Sequence, residues 1–298
     1  MRTETTSKYK YAIWNQTDKH WGLIVRSVGT QNIAAEESYP LVGQNSEYAT
    51  PPNKGRILLE YQIIYIVRGE GYFQSTHFPK TKVTAGDVFM LFPEEWHMYG
   101  PNQETGWTEY WVDFRGSIMN DWTAKGFFDV HQPLFHVGID DEMIHLLTRS
   151  MEVLNDQDIC YQQLLAGYLV HMIGLITSRS RSQKLKSDDN LSQKIDKARI
   201  LLQNSIEEEI KIPELARRVN LNYTSFRVAF KQYTGLTPIE YKNKIKIQRA
   251  TDMLYNPENS LKSIAYALQF ESQEYFSTFF KRMTGITPSE FRRVKKIK

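Results

Sequence analysis

Apolar residues along this chain follow two different periods, and the change from one to the other divides it. From about Gly22 to Phe114 they come in short runs of aliphatic and aromatic residues broken by Gly and Pro, as in a small all-β domain. The run Tyr61–Tyr72 predicts strand, turn and strand, with the turn at Arg68-Gly69-Glu70-Gly71. Val83–Tyr99 predicts the same, with its turn at Ala85-Gly86-Asp87, and a third run, Thr108–Phe114, closes on Arg115-Gly116. Helical spacing then takes over: Met143, Ile144, Leu147, Met151 and Leu154 predict a helix over Ile139–Asn155. Leu164, Leu165, Tyr168, Leu169, Met172, Ile173 and Ile176 predict a second over Cys160–Ser178. That second helix is apolar around much of its girth, so it is expected to bury two faces, one on the β domain and the other on a partner subunit. Packing of both helices wholly within their own subunit is the alternative. Arg179–Asn190 is polar, Ser-rich and without apolar periodicity, and reads as a linker.

The last third carries one pattern twice. Leu215–Lys231 runs into Tyr233-Thr234-Gly235-Leu236-Thr237-Pro238, and Ile264–Lys281 runs into Met283-Thr284-Gly285-Ile286-Thr287-Pro288. The Phe-Lys, Thr-Gly and Thr-Pro steps recur at the same offset, which points to two copies of one helix–turn–helix unit. Ala216 and Ala265 are small where a first helix must approach a second. Asn222 and Ser272 can cap the second helices. Phe226 and Phe230, and likewise Phe276 and Phe280, form a buried stripe on each. Gly235 and Gly285 stop these helices, and Pro238 and Pro288 suit the first turn of the next.

Charge changes the picture by pointing to a partner. Lys211 to the end holds 17 Lys and Arg against 7 Asp and Glu, a net of +10 in a chain whose total is +3. Basic character confined to the helix–turn–helix end is what phosphate contacts require. Composition otherwise excludes. No apolar run approaches the ~18 residues of a membrane span, and the polar Met1–Lys10 is not a secretory signal. The single cysteine, Cys160, fits a reducing compartment, so a cytoplasmic protein with no membrane partner is expected. No phosphate loop or Gly-x-Ser-x-Gly motif is present. His77 and His97 are not part of a His-x-His pair, so no metal and no cofactor are expected, and the chain is not expected to be an enzyme.

The segment from about Leu191 to Arg293 resembles the DNA-binding domain of the AraC/XylS family of bacterial transcription regulators. Phe270, Tyr275-Phe276, Phe280-Lys281, Gly285, Thr287-Pro288 and Phe291-Arg292 carry the resemblance. The Gly86-Asp87 step, Pro93, His97 and the run from Tyr110 to Gly116 resemble the cupin-type barrel that serves as effector domain in that family. The resemblance implies an α+β fold in two domains. Residues 1–135 would form a cupin-like effector-binding β-barrel, 136–180 a helical dimerisation segment, 181–190 a linker, and 191–298 an all-α domain with two helix–turn–helix units. A joining helix from near Pro238 to near Tyr255 would hold both recognition helices on one face of the duplex. The family usually has Gly where this chain has Asn220 and Gln269. Asn tolerates a left-handed backbone and Gln does so poorly, so a strained or altered turn is expected at Gln269.

The expected partners are double-stranded promoter DNA, a small-molecule effector, RNA polymerase and a second copy of the chain. The DNA-binding residues are expected to be Tyr223, Thr224, Arg227, Val228 and Lys231 in the first copy. Gln273, Glu274, Ser277, Thr278 and Lys281 are their counterparts in the second. Arg227 and Gln273 are expected to discriminate bases, and Lys231 and Lys281 to meet phosphates. For the effector, the aromatic and polar residues Arg68, Trp96, His97, Tyr99, Glu109, Trp111 and Asp113 are the expected binding set, suited to a sugar. An activator is expected from the family's habit. A cupin enzyme carrying a DNA-binding tail is the alternative, and the missing His-x-His argues against it.

Overall fold

Strand alternation in the first half places one core on each side of a single sheet. The computed structural model describes residues 5–39, 54–186, 189–204 and 210–296. It divides into two units, Met1–Lys184 and Leu185–Lys298. The first unit contains, in order, β1 (Thr6–Tyr11), α1 (Gln16–His20), β2 (Ile24–Ile33), β3 (Arg56–Ile57), β4 (Tyr61–Ser75), β5 (Thr81–Thr84) and β6 (Asp87–Leu91). These are followed by β7 (Trp96–Pro101), β8 (Trp107–Arg115), α2 (Ser117–Ala124), β9 (Leu134–His136), α3 (Asp141–Asp156) and α4 (Tyr161–Lys186). One antiparallel sheet runs β1-β2-β8-β4-β6-β9, and a second pairs β3 with β7 and both β7 and β5 with the far half of β4.

Because β4 belongs to both sheets, they face each other across one interior. Ile64, Ile66, Phe89, Leu91 and Trp107 of the first sheet meet Phe73 and Val83 of the second there. Residues of opposite parity, such as Val25, Ile63, Tyr65, Met90 and Val112, form the outer core beneath α3 and α4. The predicted turn at Arg68–Gly71 is therefore absent: β4 runs straight through it. Instead the register against β8 shifts between Ile66 and Arg68, and Gly69 adopts φ 79°. A Cβ on Gly69 would lie 2.1 Å from the Gly106 carbonyl oxygen, and one on Gly71 2.2 Å from that of Gly100. The strand can change sheets only where its neighbours approach bare backbone.

α3 starts on the Asp140 cap, whose side chain accepts from Met143 N at 3.1 Å. α4 buries the stripe Leu165, Leu169, Met172 and Ile176, together with Gln162. The Gln162 amide donates to the Val25 carbonyl at 3.0 Å and accepts from Val25 N at 3.2 Å, closing the bulge between Val25 and Ser27 of β2. The opposite face of α4, with Leu164 and Val170, is exposed in the single chain, so within the chain it buries one face rather than two. Nor does it stop at Ser178. It continues to Lys186, through residues expected as linker, and α5 begins at Asp189, while Ser187 and Asp188 lie outside the described residues. Arg, Gln, Lys and Leu extend a helix that is already nucleated and packed, whatever their polarity.

The second unit is helical: α5 (Asp189–Asn204), α6 (Ile212–Arg218), α7 (Tyr223–Thr234), α8 (Pro238–Tyr255), α9 (Leu261–Ala267), α10 (Gln273–Thr284) and α11 (Pro288–Lys296). The duplication extends to individual hydrogen bonds. Asn222 and Ser272 cap α7 and α10, while Gly235 and Gly285 end them at φ 77° and 86°. Thr237 with Glu240 and Thr287 with Glu290 make the same reciprocal cap on α8 and α11. α8 links two separate cores, giving Tyr241 and Ile245 to the first and Ile247, Ala250 and Leu254 to the second.

Asn220 and Gln269 both take the left-handed backbone, at φ 53° and 57°. For Gln269 this stores strain that Gly would not. Gln269→Gly is expected to stabilise the second helix–turn–helix unit by about 1 kcal/mol. The 3.4 Å bond from Lys246 Nζ goes to the residue 269 carbonyl and survives the change. Denaturant midpoints of the two proteins check this, and an equal or lower midpoint for the variant contradicts it.

Candidate functional site

The barrel interior is apolar at one end and polar at the other. Parity turns Trp107, Glu109, Trp111 and Asp113 of β8 inward, beside Ser27 and Gln31 of β2 and Gln62 of β4. β7 adds His97 and Tyr99, and β3 adds Arg56. Arg56 holds these together. Its Nη2 donates to the Tyr99 hydroxyl at 2.7 Å, its Nε donates to His97 Nε2 at 3.3 Å, and its guanidinium lies 5.4 Å from the Tyr99 ring centre. The Tyr39 hydroxyl donates to Glu109 at 3.4 Å, and Ser27 donates to Asp113. Glu109 Oε2 and Gln62 Oε1 are buried and have no hydrogen-bond partner among the described residues. Gly29 makes room for Trp111: a Cβ there would lie 2.3 Å from the indole, whose ring instead reaches Tyr9 across the strand at 6.4 Å.

Of the residues expected from the sequence, His97, Tyr99, Glu109, Trp111 and Asp113 come together. Arg68 and Trp96 do not. Arg68 is exposed on the bend of β4. Trp96 has the opposite parity to His97 and lies over Gly55, its indole N–H donating to the Lys54 carbonyl at 3.1 Å. Arg56 and Tyr39 join the cluster without any signal in the sequence. Each is an isolated polar or aromatic residue, and only the closure of the barrel brings it to β8.

Burial sets the protonation of the cluster. Burial, partly opposed by the Arg56 charge, pushes the Glu109 carboxyl up to about 8. Burial and then Arg56 hold His97 down to about 3. The ring is therefore neutral, with Nδ1–H donating to the Glu95 carbonyl at 3.1 Å while Nε2 accepts from Arg56. Burial lifts the Tyr99 hydroxyl to about 12. Burial alone would depress Arg56, but Tyr99, Tyr39, Asp113 and Glu109 more than offset it.

These shifts predict a pH profile. The unfolded chain releases the Glu109 proton near 4.5 and the folded protein near 8, so its contribution is full below 4.5 and lost as pH rises through 8. The unfolded chain protonates His97 near 6.5 and the fold resists to about 3, so that contribution is full above 6.5 and lost as pH falls towards 3. The two slopes oppose each other between 4.5 and 6.5, and Glu109 alone acts above. Glu109→Gln is expected to flatten the decline in melting temperature between pH 6.5 and 8. A parallel decline in both proteins would refute the assignment.

The second surface is repeated. Phe226 and Phe230 of α7, and Phe276 and Phe280 of α10, are fully buried. Tyr223, Thr224, Arg227, Val228 and Lys231 are exposed and, with Thr237, line one open groove. On α10, Gln273, Glu274, Thr278 and Lys281 are exposed and Ser277 is half-buried. No group of three or more His, Cys, Asp or Glu able to hold a metal ion occurs among the described residues. No helix among them is long and apolar enough to cross a membrane.

A barrel with a polar interior followed by two helix–turn–helix units defines a DNA-binding transcription regulator with a small-molecule sensing domain. The AraC-like ligand binding domain model matches residues 44–194, and a helix–turn–helix domain model matches residues 215–294. The chain belongs to the AraC family of transcription regulators, which sets aside its reading as a cupin enzyme. It is 25% identical to the MmsAB operon regulatory protein of Pseudomonas aeruginosa, over 74% of this chain and 71% of the relative. It is 26% identical to the lactose operon transcription activator of Staphylococcus xylosus, over 76% of this chain and 82% of the relative. It is also 23% identical to the raffinose operon transcriptional regulatory protein of Pediococcus pentosaceus, over 84% and 91%.

Proposed function

We propose that this regulator activates transcription in the cytoplasm in response to a sugar held inside the barrel. The observation that carries the reading is the buried Glu109 carboxyl, one oxygen of which has no hydrogen-bond partner among the described residues, beside the inward indole of Trp111. Buried polar groups are normally satisfied, and a ligand hydroxyl is a fitting partner for a carboxyl group beside an aromatic face. Two relatives named for lactose and raffinose operons support the same class. Arg56, His97, Tyr99, Glu109, Trp111 and Asp113 form the proposed effector site. The ten positions of α7 and α10 named above, nine of them exposed and Ser277 half-buried, form the proposed DNA interface. We further propose a homodimer through the open face of α4 and contact with RNA polymerase at the promoter.

The test is a thermal shift of the full chain against mono- and oligosaccharides. The whole chain is needed because α4 runs to Lys186 and a cut at Ser180 would sever it. A rise for one sugar that Glu109→Ala abolishes supports the reading, since a ligand stabilises only the state it binds. No rise across the panel overturns the sugar assignment.

A further inference from the structure

The two recognition helices differ in charge at equivalent positions, and the difference falls where a base would be read. From Lys211 to Gly235 the first unit carries five Lys and Arg against one carboxylate, Glu214. From Ser260 to Gly285 the second carries three against two, Glu271 and Glu274. The first turn of α7 has no acidic residue, whereas that of α10 has Glu274. Glu274 stands where α7 has Thr224, and Ser277 where it has Arg227.

Helix geometry places Glu274 at the centre of the exposed face. At about 100° per residue, Glu274, Ser277, Thr278 and Lys281 fall within a stripe roughly 100° wide. The buried Phe276, Phe279 and Phe280 lie opposite that stripe. Gln273 lies about 100° round from Glu274, at the margin of the buried face. Glu274 is also in the first turn, the part of a recognition helix that meets base edges. A carboxylate there accepts hydrogen bonds and cannot donate. It is repelled by phosphates, and it finds only acceptors on guanine. The cytosine amino group satisfies it, whereas adenine sets the acceptor N7 beside its amino group.

We infer that Glu274 is a specificity-determining residue that makes docking of the second helix–turn–helix unit conditional on a cytosine in its half-site. The inference rests on both units reading DNA. Rejection by an unpaired carboxylate is an economical source of specificity, because a mismatch costs desolvation and repulsion as well as a lost bond. The alternative role for Glu274 is stabilisation of the α10 dipole, which would affect folding but not base preference.

The experiment is selection of duplexes from a random-sequence library by the full chain and by its Glu274→Ala and Glu274→Gln variants. Binding to the selected sites is then measured across a salt series. The wild type is expected to select two half-sites, the second with a fixed cytosine. Replacing that cytosine should weaken wild-type binding about 5- to 100-fold. Glu274→Ala should lose the preference, and Glu274→Gln should move it towards adenine. Lys231→Ala should lower the salt slope by about one, with base preferences unchanged. A second half-site with no fixed cytosine, or one unchanged in both Glu274 variants while their melting temperature falls, overturns the inference and leaves Glu274 as a helix-dipole residue. A wild-type protein that selects no sequence at all overturns instead the reading of both units as base readers.

Discussion

Arg56→Ala is expected to destabilise the sensing unit by about 3 kcal/mol and to abolish effector binding. The guanidinium interacts by its charge with the buried carboxyls of Glu109 and Asp113, which are 3% and 0% exposed. It also supplies the hydrogen bonds that reach the Tyr99 hydroxyl and His97 Nε2. Truncation leaves those acceptors unsatisfied and removes the charge that opposes the upward shift of Glu109. Glu109 then holds its proton to still higher pH, so the loss of stability on the alkaline side extends further. Arg68→Ala is the control. That side chain is exposed on the bend of β4, and its removal should cost much less than that of Arg56. Urea melts of the two variants at pH 7 check the contrast. Equal effects would show that the cluster is not organised by Arg56.

That contrast between two arginines also shows what could be read from the chain and what could not. Arg68 stands in a glycine-rich motif and attracts notice, but its strand does not turn there. Arg56 has no motif, and meets its partners only when β3, β7 and β8 close round one interior. Parity within a strand was legible: Glu109, Trp111 and Asp113 are two apart and enter together. Which parity faces inward depends on the opposite sheet, which is why Trp96 was expected inside with His97 and lies outside. The second unit was legible almost to the residue because its determinants are local. Asn222 caps α7 from three residues away, Gly285 ends α10, and α8 spans Pro238–Tyr255 as its flanking signals predict. The end of α4 failed for the opposite reason, since a polar surface helix has no apolar period to mark it.

Phe280→Ala is expected to unfold the second helix–turn–helix unit while the first stays folded. Phe280 is fully buried, with its ring centre 5.9 Å from that of Phe276 and 5.8 Å from that of Phe291. Truncating such a side chain costs about 3–5 kcal/mol. The second core has few residues over which to spread that loss, and Ile247, Ala250 and Leu254 bring the C-terminal half of α8 into it. The first core keeps Phe226, Phe230, Leu215 and Ile195, and draws on α8 through Tyr241 and Ile245 of its N-terminal half. Hydrogen exchange should therefore show protection lost over residues 250–296 and retained over 190–245. DNA protection should shrink to the first half-site, and the salt dependence should lose the part of its slope that comes from phosphate contacts of the second unit. Protection lost in both segments together would mean that α8 couples the two cores into one cooperative unit. The separate cores of the fold would then not act as separate folding units.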